Sequence, residues 1–494
     1  MIDRLLAKLG LVRRSPERVE GPASRVSVDK AWRLFAGYDS AKSDGANARH
    51  WSNSDNLAAW SANSPEVREA LRNRARYEAA NNSLLAGMLR TLVQHTVGAG
   101  PMLRIDTGDR DADRQIEDSF AAWARRARLG EKLRIMRRSK CVDGEAFALL
   151  ATNPLYEGVS LDLRLIEADQ IATPDLPAAD PLRIDGVRFD RAGNIVSYDL
   201  LKAHPGDDRA LGNTLDYEVI PAEQMLHYRH AVRPGEARGV SELTPALALG
   251  AILRRYILAT LLNAELNANI AGVMESDAPE GAAPLDPLDA IELEPGHLLT
   301  MPDGWKAKRL GPEQNVTGLK EFRREIVNEF SRCLDMPLSI ALASNDGQNF
   351  ASGKLDHGVY YASIRVERRE IEASVLHPVF AAWIREAALI PGQIPRGIRM
   401  DQVRHAWRWD ALTSGDPEKD AKAAEILRRS KLLSLDRYFS EAYGADWERE
   451  LEQVARERDY ADQLGVNIDS LAVGGAPGSR DKAAVGAEGE EDDA

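Results

Sequence analysis

Helical periodicity begins at Ser64-Pro65-Glu66-Val67, an N-cap residue followed by a proline at the first helical position. This predicts a helix over 64–82 and a second over 83–97. Gly98-Ala99-Gly100-Pro101 stops the second, and 102–105 reads as a strand. Ile116, Phe120 and Trp123 recur on one side of a predicted helix over 111–128. A basic helix over 131–140 leads through Val142-Asp143-Gly144-Glu145 into the apolar run 146–150. Val159, Leu161, Leu163 and Leu165 alternate with mostly polar residues, which is the pattern of a half-buried strand. Residues 187–201 read as a hairpin turning at Arg191-Ala192-Gly193-Asn194. Residues 64–235 are thus expected to form an α+β unit.

Downstream the pattern lengthens. Behind a Ser241 cap, Leu249, Leu253, Tyr256 and Leu262 sit at helical spacing, and the helix is expected to reach about 271, roughly 45 Å at about 1.5 Å per residue. Residues 277–295 are rich in Pro, Asp, Glu and Ala, and 297–301 and 305–309 read as short strands. A helix over 318–334 carries the stripe Phe322, Ile326, Phe330, Leu334 and ends at Asp335-Met336-Pro337. Then comes the small, polar stretch Ser344-Asn345-Asp346-Gly347-Gln348-Asn349-Phe350-Ala351-Ser352-Gly353-Lys354, which has little to bury and reads as an exposed loop. A charged helix over 355–385, a break at 391–400 and helices over 416–430 and 435–463 complete the ordered part. From Gly474 the chain is Gly/Ala-rich and ends in acidic residues, a composition expected to be disordered. Residues 12–64 are polar, with Trp32, Trp51 and Trp60 isolated, and read as an extended arm with short helices. Met1 to Leu11 is a short amphipathic stretch read as an arm that packs on a neighbour. The apolar run 243–253 is too short for a bilayer and is followed by Arg254-Arg255, so no membrane partner is expected.

Composition adds limits. With 494 residues, 44% of them hydrophobic, the chain can build about two to four packing units. A net charge of −13 and a pI near 5.4 argue against a broad basic face that grips DNA. Cys141 and Cys333 are the two cysteines, which fits a reducing compartment and no zinc site. His227 and His230 lack further ligands at metal spacing, and Cys141 beside Asp143 and Glu145 reads as a buried structural thiol. No phosphate-binding loop, serine elbow or zinc-protease motif occurs. No catalytic residue, metal ligand or cofactor is therefore expected. The run Arg365, Glu367, Arg368, Arg369, Glu370 and Glu372 fits two readings, a solvated helix face laced with near-neighbour pairs or a contact between subunits.

Several segments, in order, resemble the lambda-type portal family of tailed phages. They are Arg74 to Asn82 with Arg90-Thr91-Leu92-Val93 and Val97 to Gly100, then Asp143-Gly144-Glu145, Leu165-Ile166-Glu167-Ala168-Asp169-Gln170 and Phe189 to Asn194. Pro221 to His227, Arg233 to Val240, Glu294-Pro295-Gly296, Gly304-Trp305 and Asp416 to Ala421 follow. The likeness spans roughly 64–465. The tunnel segment departs from the usual N-[YF]-S-S-x-R, reading Asn349-Phe350-Ala351-Ser352-Gly353-Lys354.

The resemblance implies an α+β portal fold: an N-terminal arm (1–63), wing (64–240), first stem helix (241–272), mixed α/β clip (273–318), second stem helix (319–337), tunnel loop (338–354), wing/channel helix (355–400), helical crown (401–472) and acidic tail (473–494). It implies a non-enzymatic dodecameric ring at one capsid vertex, assembled in the host cytoplasm, through which double-stranded DNA enters and leaves. Asn345, Asp346, Gly347, Gln348, Asn349, Phe350, Ser352 and Lys354 would face the DNA channel. Asp277, Glu280, Asp286, Asp289, Glu292 and Glu294 of the clip would dock the large terminase and then head-completion or connector proteins. Major capsid and scaffolding proteins complete the implied partners. The whole ring would carry on the order of −150 charges, which keeps phosphates from sticking to the wall. The alternatives are a structural, scaffold or adaptor protein without a channel and, behind it, an enzyme fused to an assembly domain.

Overall fold

The computed structural model describes residues 55–174, 180, 182–208, 216–269, 273–276, 305–308, 316–346, 350–395, 398, 403–412 and 417–466. The described residues from Ala59 onward form one compact unit. Helix α1 (Pro65–Asn81) starts where the Val67 amide donates to Ser64 Oγ, and α2 (Ser83–Val97) starts where the Leu85 amide donates to Asn82 Oδ1. Strand β1 (Met102–Asp106) leads to α3 (Arg110–Arg126), whose first amides donate to the Asp109 carboxylate. Helix α4 (Leu129–Asp143) feeds β2 (Glu145–Thr152), which lies between β3 (Leu161–Ile166) and β8 (Met225–Arg229) in an antiparallel sheet. A four-stranded sheet runs in the order β4 (Arg183–Ile184), β5 (Val187–Phe189), β6 (Ile195–Leu201), β7 (Tyr217–Pro221), with a bulge at Arg188/Phe189.

Helix α5 (Leu247–Asn269) and α6 (Val316–Ser331) flank the antiparallel ribbon β9 (Val273–Ser276) and β10 (Trp305–Lys308). A short α7 (Leu338–Leu342) precedes α8 (Phe350–Ile371), and a π-helical turn over Glu372–Leu376 joins α8 to α9 (His377–Ala387). Pro378 explains that turn. It lacks an amide hydrogen and its ring crowds the carbonyl four residues back, so the helix widens and the His377 amide donates to Glu372 O instead. Strand β11 (Arg404–Arg408) and helices α10 (Pro417–Arg429), α11 (Leu435–Tyr443) and α12 (Trp447–Gln463) follow.

Two cores hold the main body. In one, Phe120 of α3 meets Trp383 of α9 edge to face at 5.1 Å and Trp407 of β11 at 5.6 Å. In the other, Leu85, Met88, Leu89 and Leu92 of α2 pack with Leu253, Val327, Phe330, Tyr360 and Ile364 from α5, α6 and α8. A smaller third core, around Phe147, Tyr198 and Ile220, joins the two larger sheets.

Four expectations need correction. Helix α8 starts at Phe350, so Phe350, Ser352 and Lys354 lie in its first turns rather than in a loop. Residues 338–342, assigned to that loop, form α7 because Ser339 and Ala341 find a buried site. The region taken as wholly helical after 401 opens with β11, which pairs antiparallel with β1, Leu103 opposite Trp407. The helix expected over 435–463 is broken in two, because Gly444 takes a left-handed turn and Asp446 caps a new helix through the Glu448 amide.

Candidate functional site

Helix α5 is about 35 Å long at about 1.5 Å per residue. One side packs on α6. Gly250 lies under the Phe330 ring, where a Cβ would come within 2.8 Å of it, and Tyr256 meets Phe322 edge to face at 5.2 Å. Arg254 donates to Glu78 at 2.8 Å and lies over the Tyr77 ring. The other side is bare: Ile252, Leu258, Leu261 and Leu262 are all exposed, Leu261 by 62%. Residues 244–265 are long and apolar enough to cross a membrane by length and composition, and only 22% of the stretch is buried. On α8, Leu355, Val359 and Val366 are likewise exposed.

Between α7 and α8 the polar segment is tied at both ends. Asp346 receives Lys320 Nζ at 2.6 Å, and its carbonyl accepts from Arg324 at 3.0 Å, so two side chains one turn apart on α6 hold it. The Lys320 hydrogen bond keeps the Asp346 carboxyl below the usual range. Lys354, half exposed, reaches Asp420 of α10 at 3.5 Å. Asn345 and Asp346 are exposed, whereas Gly347, Gln348 and Asn349 lie outside the described residues. The clip candidates Asp277, Glu280, Asp286, Asp289, Glu292 and Glu294 also lie outside them; the β9–β10 ribbon describes the two ends of that segment.

A second feature is a buried ionic network. Arg238 is 1% exposed and clamps Glu145 from Nε and Nη2, the closest contact being 2.6 Å; it also donates to the carbonyls of Ala168, Ile171 and Asp185. Burial alone would push the Glu145 carboxyl up, but Arg238 and a hydrogen bond from His227 hold it far below the usual range. Burial pushes the His227 imidazole down and keeps it neutral. Its Nε2–H can then donate to Glu145 at 3.1 Å while Nδ1 accepts from the Tyr198 hydroxyl at 3.3 Å. Arg68, Arg72 and Arg76, one turn apart on α1, face Asp185, Asp169 and Asp143, and Arg76 bridges Asp143 and Asp169 at 2.7 Å each.

The charge run on α8 fits neither sequence reading as a whole, because its charges reach distant parts of the same chain. Lys140 is 2% exposed and donates to Glu367 at 2.7 Å and Glu370 at 2.8 Å, over the Tyr228 ring. Arg368 donates to the carbonyls of His95 and Thr96, capping the last turn of α2 from afar, and to Asp410 O. Trp409 Nε1 donates to Glu372 at 2.6 Å. Such pairings leave no local signal beyond the spacing of 367 and 370 against 137 and 140. Cys141 is fully buried, and burial pushes its thiol up, away from reactivity.

Glu167, Asp169 and His204 bring ligand-type atoms within 4.8 Å of one another. They do not make a metal centre. Arg72 and Arg76 occupy both oxygens of Asp169, and His204 Nδ1 accepts from the Gly206 amide, which places the ring proton on the nitrogen facing the carboxylates.

Comparison with known proteins adds a direct assignment. The family model described as "Phage portal protein, lambda family" matches residues 45–368. The chain belongs to the lambda family of phage portal proteins. A relative named "Probable portal protein", from Halomonas phage phiHAP-1, is 25% identical over 394 residues, covering 72% of this chain and 74% of its own. A chain in the neck of an empty GTA particle computed with C6 symmetry is 12% identical, with a TM-score of 0.47 over 79% of this chain and 96% of its own. One in the neck of a native GTA particle computed with C12 symmetry is 13% identical, with a TM-score of 0.44 over 76% and 92%.

As a portal protein the chain belongs to a structural family, and its family-like segments have a physical meaning in the fold. Arg76, Asp143-Gly144-Glu145, Asp169 and Arg238-Gly239-Val240 come from four separate stretches. All meet in the one network around Glu145 and Asp169. These residues tie α1, α4 and β2 to the segment that leads into α5.

Proposed function

We propose that this portal protein assembles into a dodecameric ring at one vertex of a phage-type particle and conducts double-stranded DNA through it during packaging and ejection. The exposed, largely apolar side of α5, together with the exposed apolar residues of α8, is the observation that carries this reading. An apolar side of this extent is unfavourable in water and is relieved when a neighbouring copy covers it. Arg255, exposed between Ile252 and Leu258 on that side, favours a protein neighbour over lipid. The ring conducts without hydrolysing anything itself, since the energy for packaging comes from the terminase. The clip carboxylates, Asp277 to Glu294, are the docking face for the large terminase and later for head-completion proteins. The major capsid and scaffolding proteins hold the ring in the shell.

The native mass tests the ring. Twelve copies of a 54.4 kDa chain give about 650 kDa. Leu258→Asp with Leu261→Asp is expected to leave a species of one or two subunits, because a carboxylate buried between copies is costly. A wild-type protein of one or two subunits by light scattering would favour the adaptor reading instead.

Lys354 is a tunnel-segment residue whose side chain is described and whose role can be tested. On the channel reading, its ammonium exchanges between Asp420 and passing phosphates, a weak and sequence-independent contact. Lys354→Ala is expected to leave the ring mass unchanged and lower packaged DNA severalfold. Normal packaging with poor assembly would assign the lysine to the α8–α10 contact alone.

A further inference from the structure

Helices α11 and α12 are attached to the wing differently from the rest of the fold. Between them they bury a single residue, Ala461. Apolar burial is therefore the smaller part of what holds them in place, and charge is the larger. Arg104 reaches Asp446 at 2.7 Å, Arg110 reaches Glu448 at 2.8 Å, Arg114 reaches Glu452 at 2.7 Å, and Arg449 reaches Asp118 at 2.9 Å. Arg408 of β11 adds Asp436 and Asp446. On α3, Arg110, Arg114 and Asp118 fall one turn apart and so form a single edge, matched in sign by Glu448, Glu452 and Arg449 of α12.

The seam is also loosely filled. A cavity of about 470 Å³ lies along it, lined by Arg104, Arg114, Glu117, Trp447, Glu448 and Glu452. A second, of about 970 Å³, extends beneath the turn at Tyr443 to Asp446. Most of the pairing side chains remain partly exposed, Arg110 by 78% and Glu452 by 53%. Exposed pairs of this kind are individually weak and are screened by salt, unlike the buried clamp at Glu145.

We propose that the α11–α12 hairpin is an ionic latch, docked on the α3 edge at low ionic strength and released when its arginine–carboxylate pairs are screened. The inference rests on the α3–α12 seam and not on the ring reading. Release frees the α3 arginines and the α12 carboxylates together, so one event exposes two charged rows. The released helices also fray, because helices of 9 and 17 residues are marginal in water without a partner.

Amide hydrogen exchange on the full chain tests this. Raising NaCl from about 0.05 M to about 1 M is expected to cut protection over Leu435–Gln463 by at least about tenfold, while strand β2 changes less than about twofold. At low salt, Arg110→Glu with Arg114→Glu is expected to reproduce the loss. Adding Glu448→Arg with Glu452→Arg is expected to restore protection, since the pairs return with reversed sign. The latch is overturned if protection of the hairpin survives both salt and charge reversal. It is equally overturned if the hairpin is unprotected at low salt, if β2 loses protection in parallel, or if the charge swap fails to restore docking.

Discussion

Arg238→Met is expected to destabilise the chain by about 3–5 kcal/mol, the usual consequence of removing one partner from a buried ion pair. The substitution keeps the bulk of the stem but strands Glu145, which has no solvent access and would retain only His227 and the Gly239 amide as partners. It also removes a charged donor from the carbonyls of Ala168, Ile171 and Asp185. The expected readout is a thermal midpoint lowered by several degrees and reduced soluble yield. The pH dependence gives a second readout. A depressed carboxyl contributes stability that is fully present above its unfolded value of about 4.3 and is lost as pH falls through the native value. In the wild type that native value is held far down, so Glu145 keeps stabilising to low pH. Without Arg238, burial dominates and lifts the carboxyl above its unfolded value, so the variant should regain stability as pH falls through the lifted value, and its deficit against the wild type should be largest near neutral pH. Equal stability at all pH values would show that the pair contributes nothing to the fold.

Gly144→Ala is the second large effect expected. Gly144 has φ +90°, a conformation that costs an L-residue about 1–2 kcal/mol. A Cβ there would also lie 2.4 Å from the Val240 carbonyl carbon and 2.7 Å from that of Gly239, which are backbone atoms that no rotamer change can move aside. Overpacking of this kind adds about 1–3 kcal/mol. The shift required would also pull the Gly239 amide and Arg238 off Glu145. Gly193 supplies the control: it has φ +87° and nothing within 4 Å of a Cβ. Gly193→Ala should therefore show the conformational cost alone. Denaturation midpoints for the two variants measure the difference, and equal losses would mean that the approach of Val240 to Gly144 is not limiting.

What could be read from the sequence was local. Ser64 and Pro65 start α1 because a hydroxyl acceptor and a missing amide suit a helix start wherever the chain goes next. Ile116, Phe120 and Trp123 mark the buried side of α3 by period alone, and Gly193 marks its turn by the backbone it allows. The family was legible for a related reason: short segments kept their order along the chain, and order needs no coordinates. Tertiary structure decided the rest. The pairing of β1 with β11 joins residues some 300 positions apart, and no period or cap in either strand names its partner. The start of α8 at Phe350 was hidden because small polar residues read as a loop, although Gly353, at about 1 kcal/mol, is the one weak helix former there. Glu367, Arg368 and Glu370 looked like a charged surface because sequence shows charge but not burial. Their roles were set by which buried groups, Lys140 and the last carbonyls of α2, lay opposite without a partner, and an unpaired buried charge or carbonyl costs too much to leave in place.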